Sequence, residues 1–206
     1  MQGLLHIVPW SRGAAAASAA DDLRLVEGLR AREPWATAAL VQRHGDHIRR
    51  VLMRLLGSDD EQGDLLQEVL TQAWKGIGRL EDPNALQAWL TRIAVFTARG
   101  ALRRRKRRRW LVFVEQLPEP AAPWAGPELR DAARAVYDIL GRMPVDQSIP
   151  FALRMLEGLD LASTAAACGM SVATVRRRLA SAERRFHALA GRYEALAPWT
   201  TARPAP

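Results

Sequence analysis

The stretch GLDLASTAAACGMSVATVRRRLASAERRFHALAG, residues 158–191, decides the fold of the C-terminal half of the chain. A short helix is predicted over residues 161–168, and Gly169 after it permits the left-handed backbone of a tight turn. Ser171 is a favourable N-cap for the helix that follows. This order predicts a helix-turn-helix, whose second helix enters the DNA major groove, with an ordinary helical hairpin as the alternative.

The second helix of this stretch has two different faces. Helical spacing predicts one apolar stripe made of Val175, Leu179, Ala182 and Phe186. The opposite face carries polar and basic residues, namely Arg176, Arg177, Ser181, Arg184 and Arg185. Arginine can bind guanine with two hydrogen bonds, so this face favours DNA recognition over a plain hairpin. Cys168, at a small apolar position beside the turn, is predicted to be a buried structural cysteine.

Composition indicates an anionic partner and a helical fold. The 206 residues carry a net charge of +8 with a pI of about 11.0, a balance most often associated with nucleic acid. Alanine, leucine and arginine dominate, which favours helix. We find neither a signal-peptide pattern nor an apolar run long enough to span a bilayer, so no stable membrane insertion is expected. The single cysteine excludes an internal disulfide and fits a reducing cytoplasm.

Proline density divides the chain into two domains. Residues 117–128, LPEPAAPWAGPE, contain four prolines and are incompatible with a continuous helix. No alternating strand pattern occurs, so we predict an all-α protein of two small helical domains joined by a flexible linker. The predicted segments are a disordered Ala-rich extension (1–21), a first domain (22–110), a Pro-rich linker (111–128), a second domain (129–196) and a flexible tail (197–206).

Four helices are predicted in the first domain. The first covers residues 22–31, with the aspartate pair at 21–22 as its N-cap, and the second covers residues 34–56, from Pro34 to a stop at Gly57. The third begins after a cap at Ser58 or Asp59 and ends near residues 76–78. The fourth opens near Pro83 and continues into the basic run at residues 103–109.

The third helix is predicted to present an acidic, polar face. Asp64, Gln67 and Glu68 follow i, i+3, i+4 spacing and share one side of the helix, whereas Leu65, Val69 and Ala73 form a different, apolar stripe. A solvated face is one interpretation of the polar side. The other is a docking surface for a basic partner protein. No nucleophile, histidine or metal-ligand set accompanies the carboxylates, so a catalytic site is not indicated.

The fourth helix is predicted to carry a basic stripe that contains an aromatic ring. Arg92, Phe96, Arg99 and Arg103 follow one another at helical spacing. An aromatic ring among guanidinium groups suits single-stranded nucleic acid, because bases stack on the ring while arginines hold phosphates. The alternative is that Phe96 packs at the core edge beside Trp89. The seven basic residues at 103–109 are expected to make phosphate contacts that position the protein without specifying sequence.

The histidines of the first domain do not indicate a metal site. His44 and His47 are spaced i, i+3, but further cysteine or histidine ligands are lacking nearby, so a surface pair is expected. Neither a cofactor nor a metal is predicted, and a phosphate-binding glycine loop is also missing. The chain is therefore not predicted to be an enzyme.

The order of these parts resembles the sigma-70 family of bacterial RNA polymerase sigma factors, in its compact extracytoplasmic-function (ECF) form. DLLQEVLTQAW, residues 64–74, resembles region 2.2 of the family, and AWLTRIAVFTAR, residues 88–99, resembles region 2.3. Residues 140–179 resemble region 4. Phe96 stands where many relatives have asparagine, and Gly63, Gly100, Thr164 and Arg177 also depart from the usual residues.

The resemblance implies roles for particular residues. The β′ clamp helices of core polymerase would bind Asp64, Gln67, Glu68 and Trp74. The −10 promoter element and strand opening would involve Asp82, Asn84, Arg92, Phe96, Arg99 and Arg103. The −35 element would contact Ser171, Thr174, Arg176, Arg177, Ser181 and Arg184.

The resemblance also implies the partners and the place of action. They are core RNA polymerase, through its β′ clamp and β flap, and promoter DNA, with an anti-sigma factor as a further candidate. The protein would act in the cytoplasm, on the nucleoid when bound to polymerase. The rival interpretations are a stand-alone helix-turn-helix regulator that does not engage core polymerase and a basic protein that coats nucleic acid. Neither rival needs an acidic face on the third helix.

Overall fold

A computed structural model describes residues 19–57, 61–111 and 126–200, and within them the regular secondary structure is entirely helical. This confirms the predicted all-α class. Short 3₁₀ turns lie at Ile77–Arg79, Pro83–Ala85 and Glu194–Leu196. The α-helices are α1 (Ala19–Arg30), α2 (Pro34–Leu56), α3 (Gln62–Gly76), α4 (Leu86–Leu111), α5 (Pro127–Arg142), α6 (Val145–Met155), α7 (Leu161–Cys168), α8 (Val172–Ala190) and α9 (Ala197–Thr200).

The N-terminal bundle packs α1, α3 and α4 around the long helix α2. Helix α2 begins with Pro34 in its first turn and ends at Gly57, whose φ of 74° is the left-handed conformation that glycine adopts without a Cβ clash. Its buried side includes Leu40, Ile48 and Leu52, all within 1% of complete burial. The predicted bounds of α2 are therefore confirmed.

Two segments predicted to be disordered or loose are helical in part. Helix α1 begins at Ala19, so Asp21 and Asp22 lie inside its first turn and are not its N-cap. Asp21 instead pairs with Arg43 of α2 at 2.8 Å. At the C-terminus, Leu196 is buried and α9 follows it, so the tail is not loose as far as residue 200. Helix α3 begins at Gln62 with Glu61 at its N-cap position, so its predicted cap at Ser58 or Asp59 is wrong. The other predictions for residues 1–18, 58–60, 112–125 and 201–206 lie outside the described residues.

The expectation that His44 and His47 form a surface pair is wrong, because both side chains are buried. His44 is 2% exposed and its Nε2 lies 3.2 Å from Asp22 Oδ1. His47 is 7% exposed, with Nε2 2.7 Å from Thr91 Oγ1 and Nδ1 3.1 Å from Arg50 Nη2. Since Thr91 gives its own proton to the Gln87 carbonyl, it accepts from His47 Nε2–H, while Nδ1 accepts from Arg50. This network requires neutral His47.

Acidic pH is expected to destabilise the fold through His47. Burial, followed by the nearby charges of Arg50, His44 and Arg54, lowers its pKa from 6.5 to about 4. A depressed folded-state pKa contributes stability that is fully present above pH 6.5 and is lost as pH falls to about 4. The loss for this residue is expected to be about 3 kcal/mol. Urea unfolding at pH 7, 5 and 4 measures the free energy of unfolding. As pH falls, this free energy should decrease less in His47→Gln than in the parent chain, because glutamine does not titrate. Equal decreases in both proteins would refute the role of His47.

The C-terminal bundle contains α5, α6, α7 and α8, with the 3₁₀ turn Glu194–Leu196 packed on α5. Phe151 and Phe186 stack in its core, with ring centroids 5.3 Å apart. Helix α7 ends at Gly169, with φ of 64°, and Ser171 caps α8 by accepting a hydrogen bond from Thr174 N–H at 3.2 Å. The predicted bounds of the first helix and the predicted N-cap of the second are confirmed, as is the burial of Val175, Leu179, Ala182 and Phe186.

Candidate protein-docking and nucleic-acid surfaces

The polar side of α3 is exposed, as its spacing predicts. Asp64, Gln67 and Glu68 face solvent, while Leu65 and Val69 are buried against α2 and α4. Gln72 donates to Glu68 Oε1 at 3.1 Å and to Thr97 Oγ1 of α4 at 3.3 Å, which ties the face to the neighbouring helix. Within the described part of the chain, neither Asp64 nor Glu68 forms an ion pair, so both carboxylates are available to an external cation. We call Asp64, Gln67 and Glu68 the acidic face.

Trp74 extends this surface toward the end of α3. It follows Gln67 by seven residues, which places both on one side of the helix, two turns apart. Its side chain is 39% exposed, an unusual position for a large ring. The guanidinium of Arg32 lies 3.8 Å from its ring centroid. Sequence reasoning missed Arg32, because nothing local to residues 31–34 signals a contact with α3.

Three members of the predicted stripe on α4, Arg92, Phe96 and Arg99, are in contact with one another. The guanidinium carbons of Arg92 and Arg99 lie 5.7 and 5.0 Å from the centroid of the Phe96 ring. Phe96 is 41% exposed and does not join the core of the N-terminal bundle. Its ring instead packs on the turn of the helix-turn-helix, close to Gly169. The approach is so close that a Cβ atom added to Gly169 would lie only 3.1 Å from Phe96 Cζ. Arg99 donates to the Cys168 carbonyl at 3.2 Å.

Asp82 and Asn84 form a small local cap ahead of α4. Asp82 Oδ1 accepts from both the backbone N–H and the side-chain amide of Asn84, each at 2.9 Å. Arg30 of α1 donates to the Leu80 carbonyl and so attaches the same loop to the bundle. Both Asp82 and Asn84 remain exposed and can be reached by another molecule.

The basic face of α8 is open to solvent. Arg176, Arg177 and Arg184 are exposed and Ser181 is half-buried. Ser171 and Thr174 at the start of the helix share a hydrogen bond between their hydroxyls at 2.9 Å, in addition to the cap. The structure therefore brings the six residues predicted for the −35 contact onto one helix and its N-cap.

The basic run at the end of α4 makes contacts within the protein. Arg105 and Arg108 pair with Glu61 at 3.5 and 3.0 Å, and Arg103 pairs with Asp146 of α6 at 3.4 Å. Lys106 donates to the Met143 carbonyl. Arg104 and Arg107 are exposed. These contacts attach the end of α4 to Glu61 and to residues 143–146, and they use part of the positive charge of the run.

A buried ion pair joins the two bundles. Arg54 Nη1 donates to Glu157 Oε2, and Arg50 Nε lies 3.7 Å from Glu157 Oε1. The Glu157 and Arg54 side chains are only 8% and 10% exposed. Burial raises the pKa of Glu157, an effect that Arg54 and Arg50 oppose, and burial likewise lowers the pKa of Arg54. Beside this pair, Tyr137 of α5 packs on Gly57.

Cys168 is a buried structural residue, as predicted. It is 1% exposed, and burial raises the pKa of its thiol to about 11, which keeps it protonated at neutral pH. Among the described residues we find no cluster of three or more potential metal ligands, and none of the described helices is long and apolar enough to cross a membrane.

Fold and surfaces together define a two-domain helical protein with a helix-turn-helix and an exposed acidic face. Residues 40–108 match the family model described as Sigma-70 region 2, and residues 133–186 match Sigma-70, region 4. The chain belongs to the sigma-70 family, in its extracytoplasmic-function group.

Individual proteins support this assignment. The chain is 30% identical over 171 residues to the ECF RNA polymerase sigma-E factor of Haemophilus influenzae, an alignment covering 77% of this chain and 89% of that protein. A structure of CnrH in complex with the cytosolic domain of CnrY is similar in fold, with a TM-score of 0.59 at 23% identity over 83% of this chain and 97% of that chain. The sigma factor RpoE of Bartonella quintana, in complex with the anti-sigma factor NepR, gives a TM-score of 0.54 at 26% identity over 70% and 89% of the two chains.

Proposed function

We propose that this chain is an ECF sigma factor that binds core RNA polymerase and directs it to promoters through −10 and −35 recognition. The observation that carries the proposal is the acidic face on α3, whose carboxylates form no ion pair with any described residue, in a chain of net charge +8 that also contains a helix-turn-helix. A stand-alone DNA-binding regulator needs only the helix-turn-helix. The acidic face is explained by a basic surface on a protein partner.

We assign core-polymerase docking to the acidic face together with Trp74. The two carboxylates provide charge that steers a basic partner, and the partly exposed indole provides an aromatic anchor of the kind that dominates interface energies. The partner of this surface would be the β′ clamp, and the second domain would contact the β flap. Residues 22–110 and 129–196 would then act as the two functional domains, with 111–128 as the linker between them.

We assign −35 recognition to α8 and −10 recognition to the stripe on α4 with the loop that precedes it. Arg176, Arg177 and Arg184 can reach base edges and phosphates of the major groove. On α4, the ring of Phe96 between two guanidinium groups suits a base displaced from the duplex. Bases captured outside the duplex would supply the free energy of strand opening, so nucleotide hydrolysis by this chain is not needed.

Promoter binding requires the two domains to move apart. The −10 and −35 elements are named for positions about 25 base pairs apart, which is roughly 80 Å along B-DNA. Here Phe96 of α4 packs directly on Gly169 of the helix-turn-helix. The 14 residues at 112–125 can reach about 50 Å when extended, and the 15 residues of α4 after Phe96 add about 22 Å, a total close to that separation.

The chain itself would not be an enzyme, because the polymerase carries out the chemistry. Its place of action would be the cytoplasm, where polymerase and promoter meet. The RpoE relative is described in complex with an anti-sigma factor, and we propose that an anti-sigma factor is also a partner of this chain.

Transcription reconstituted from purified core polymerase tests the proposed function. Addition of the full chain should produce promoter-specific transcripts that core polymerase alone does not make. Core polymerase that fails to bind the chain, while the chain still binds a specific DNA site, would support the stand-alone regulator instead.

Strand opening is expected to depend on the ring of Phe96. Phe96→Ala should reduce open-complex formation by about 5- to 100-fold, since stacking of one base on an aromatic ring contributes about 1–3 kcal/mol. Phe96→Tyr retains the ring and is the matched control. Permanganate reactivity of the melted thymines measures the effect. Unchanged melting in Phe96→Ala, together with impaired melting in Arg92→Ala, would exclude the stacking role.

A further inference from the structure

The turn between α1 and α2 holds an arginine where the backbone favours glycine. Glu33 N–H donates to the Gly28 carbonyl at 2.9 Å and Arg32 N–H to the Leu29 carbonyl at 3.3 Å, the bonding pattern of a Schellman motif. Arg32 has φ of 60°. The other positive-φ residues in the described part of the chain are the glycines Gly57, Gly158 and Gly169.

The side chain of Arg32 is occupied with Trp74. Its guanidinium carbon lies 3.8 Å from the Trp74 ring centroid, a stacking distance, and Nη1 donates to the Trp74 carbonyl at 2.8 Å. Both residues are exposed, so the stack lies on the surface and covers one side of the indole. At the surface, the cation–π stack and the hydrogen bond to the Trp74 carbonyl together stabilise the turn by about as much as the left-handed backbone of a residue with a Cβ destabilises it. Fold stability therefore does not explain why arginine occupies this turn.

We propose that Arg32 is a positioning residue for polymerase docking, which holds the Trp74 indole in the orientation that the partner binds. This inference rests on the proposed docking role of Trp74. An exposed tryptophan that samples several rotamers must lose that freedom on binding, whereas a stacked indole has already lost it. The backbone strain at Arg32 is then maintained for the presentation of Trp74.

Variants of the full chain test this with purified core polymerase as the probe. Arg32→Gly suits the turn but removes the stack, so its melting temperature should stay within about 2 °C of the parent value while its affinity for core polymerase falls about 3- to 10-fold. Arg32→Lys retains the charge without the planar group and should not restore full affinity. The matched control is Arg24→Ala, which removes the guanidinium 5.4 Å over Trp35 outside the docking surface and should leave affinity unchanged.

A double-mutant cycle separates positioning from direct contact or folding. Trp74→Ala alone should weaken binding more than Arg32→Gly does. In the Trp74→Ala background, Arg32→Gly should have no further effect, because its action passes through the indole. Additive losses, or full affinity in Arg32→Gly while Trp74→Ala binds weakly, would overturn the positioning role and leave the proposed function intact. Full affinity in Trp74→Ala would instead remove Trp74 from the docking surface, and the inference with it.

Discussion

Replacement of both Asp64 and Glu68 by lysine is expected to weaken binding to core RNA polymerase by about 100- to 1000-fold. Each carboxylate facing a cation at about 4 Å gains about 1 kcal/mol even in water, and reversal turns that attraction into repulsion of similar size. Two such changes together amount to about 4 kcal/mol, or roughly three factors of ten in the dissociation constant. Titration of labelled protein with core polymerase measures the effect.

The control must add the same charge elsewhere. Glu27→Lys with Glu128→Lys changes two exposed carboxylates on α1 and α5, outside the acidic face. This variant should bind core polymerase within about twofold of the parent chain, because neither carboxylate belongs to the surface proposed to bind the polymerase and exposed charges are screened by salt. Equal losses in the two variants would show that overall charge, and not the acidic face, controls binding. Raised salt should shrink the difference between parent and Asp64/Glu68 variant.

The second large effect is expected at the ion pair between the bundles. Glu157→Ala leaves the buried guanidinium of Arg54 without its carboxylate, a change that costs about 3–5 kcal/mol when the charge cannot reach water. Because Arg54 and Glu157 belong to different bundles, separation of the bundles exposes Arg54 to solvent and avoids that cost. We expect the closed arrangement to lose at least about 100-fold in population relative to the separated one, with each bundle still folded.

Distance measurements distinguish separation from unfolding. A dye pair on α1 and α8 should report a longer mean distance in Glu157→Ala, while circular dichroism retains the helical signal of the parent chain. Asp46→Ala, which breaks an exposed pair with Arg49 within α2, is the control and should change neither. An unchanged distance, or loss of helix signal together with the distance change, would contradict separation of intact bundles at this interface.

Much of the fold follows from short-range signals that the sequence displays directly. Pro34 and Gly57 bound α2, and Gly169 with Ser171 marks the turn of the helix-turn-helix, because these residues act through their own backbone geometry and nearest N–H groups. The predicted start of α1 is wrong because no such local signal marks it. Alanine at 19 and 20 can join a helix or not, and packing of α1 on α2 decides.

The candidate surfaces also have a part that the sequence predicts and a part that it does not. The exposed side of α3 and the stripe on α4 follow from helical periodicity, so Asp64, Gln67, Glu68 and the arginines around Phe96 could be placed on their faces beforehand. The contacts that these helices make with distant parts of the chain could not be predicted from the sequence. Each of these contacts joins residues that are at least 42 positions apart in the chain. They are the hydrogen bond of buried His47 to Thr91, the stack of Arg32 on Trp74 and the packing of Phe96 on Gly169.

The sequence by itself determined the helical class, the helix-turn-helix, the two candidate faces and the sigma-70 resemblance, since each depends on spacing within one helix or on one turn. The tertiary structure alone decided which charges are buried and which surfaces meet. Arg54 and Glu157 are 103 residues apart, and neither looks different from a surface residue in the sequence. Their burial is a property of two bundles packed together, because desolvation depends on every atom that displaces water around a group.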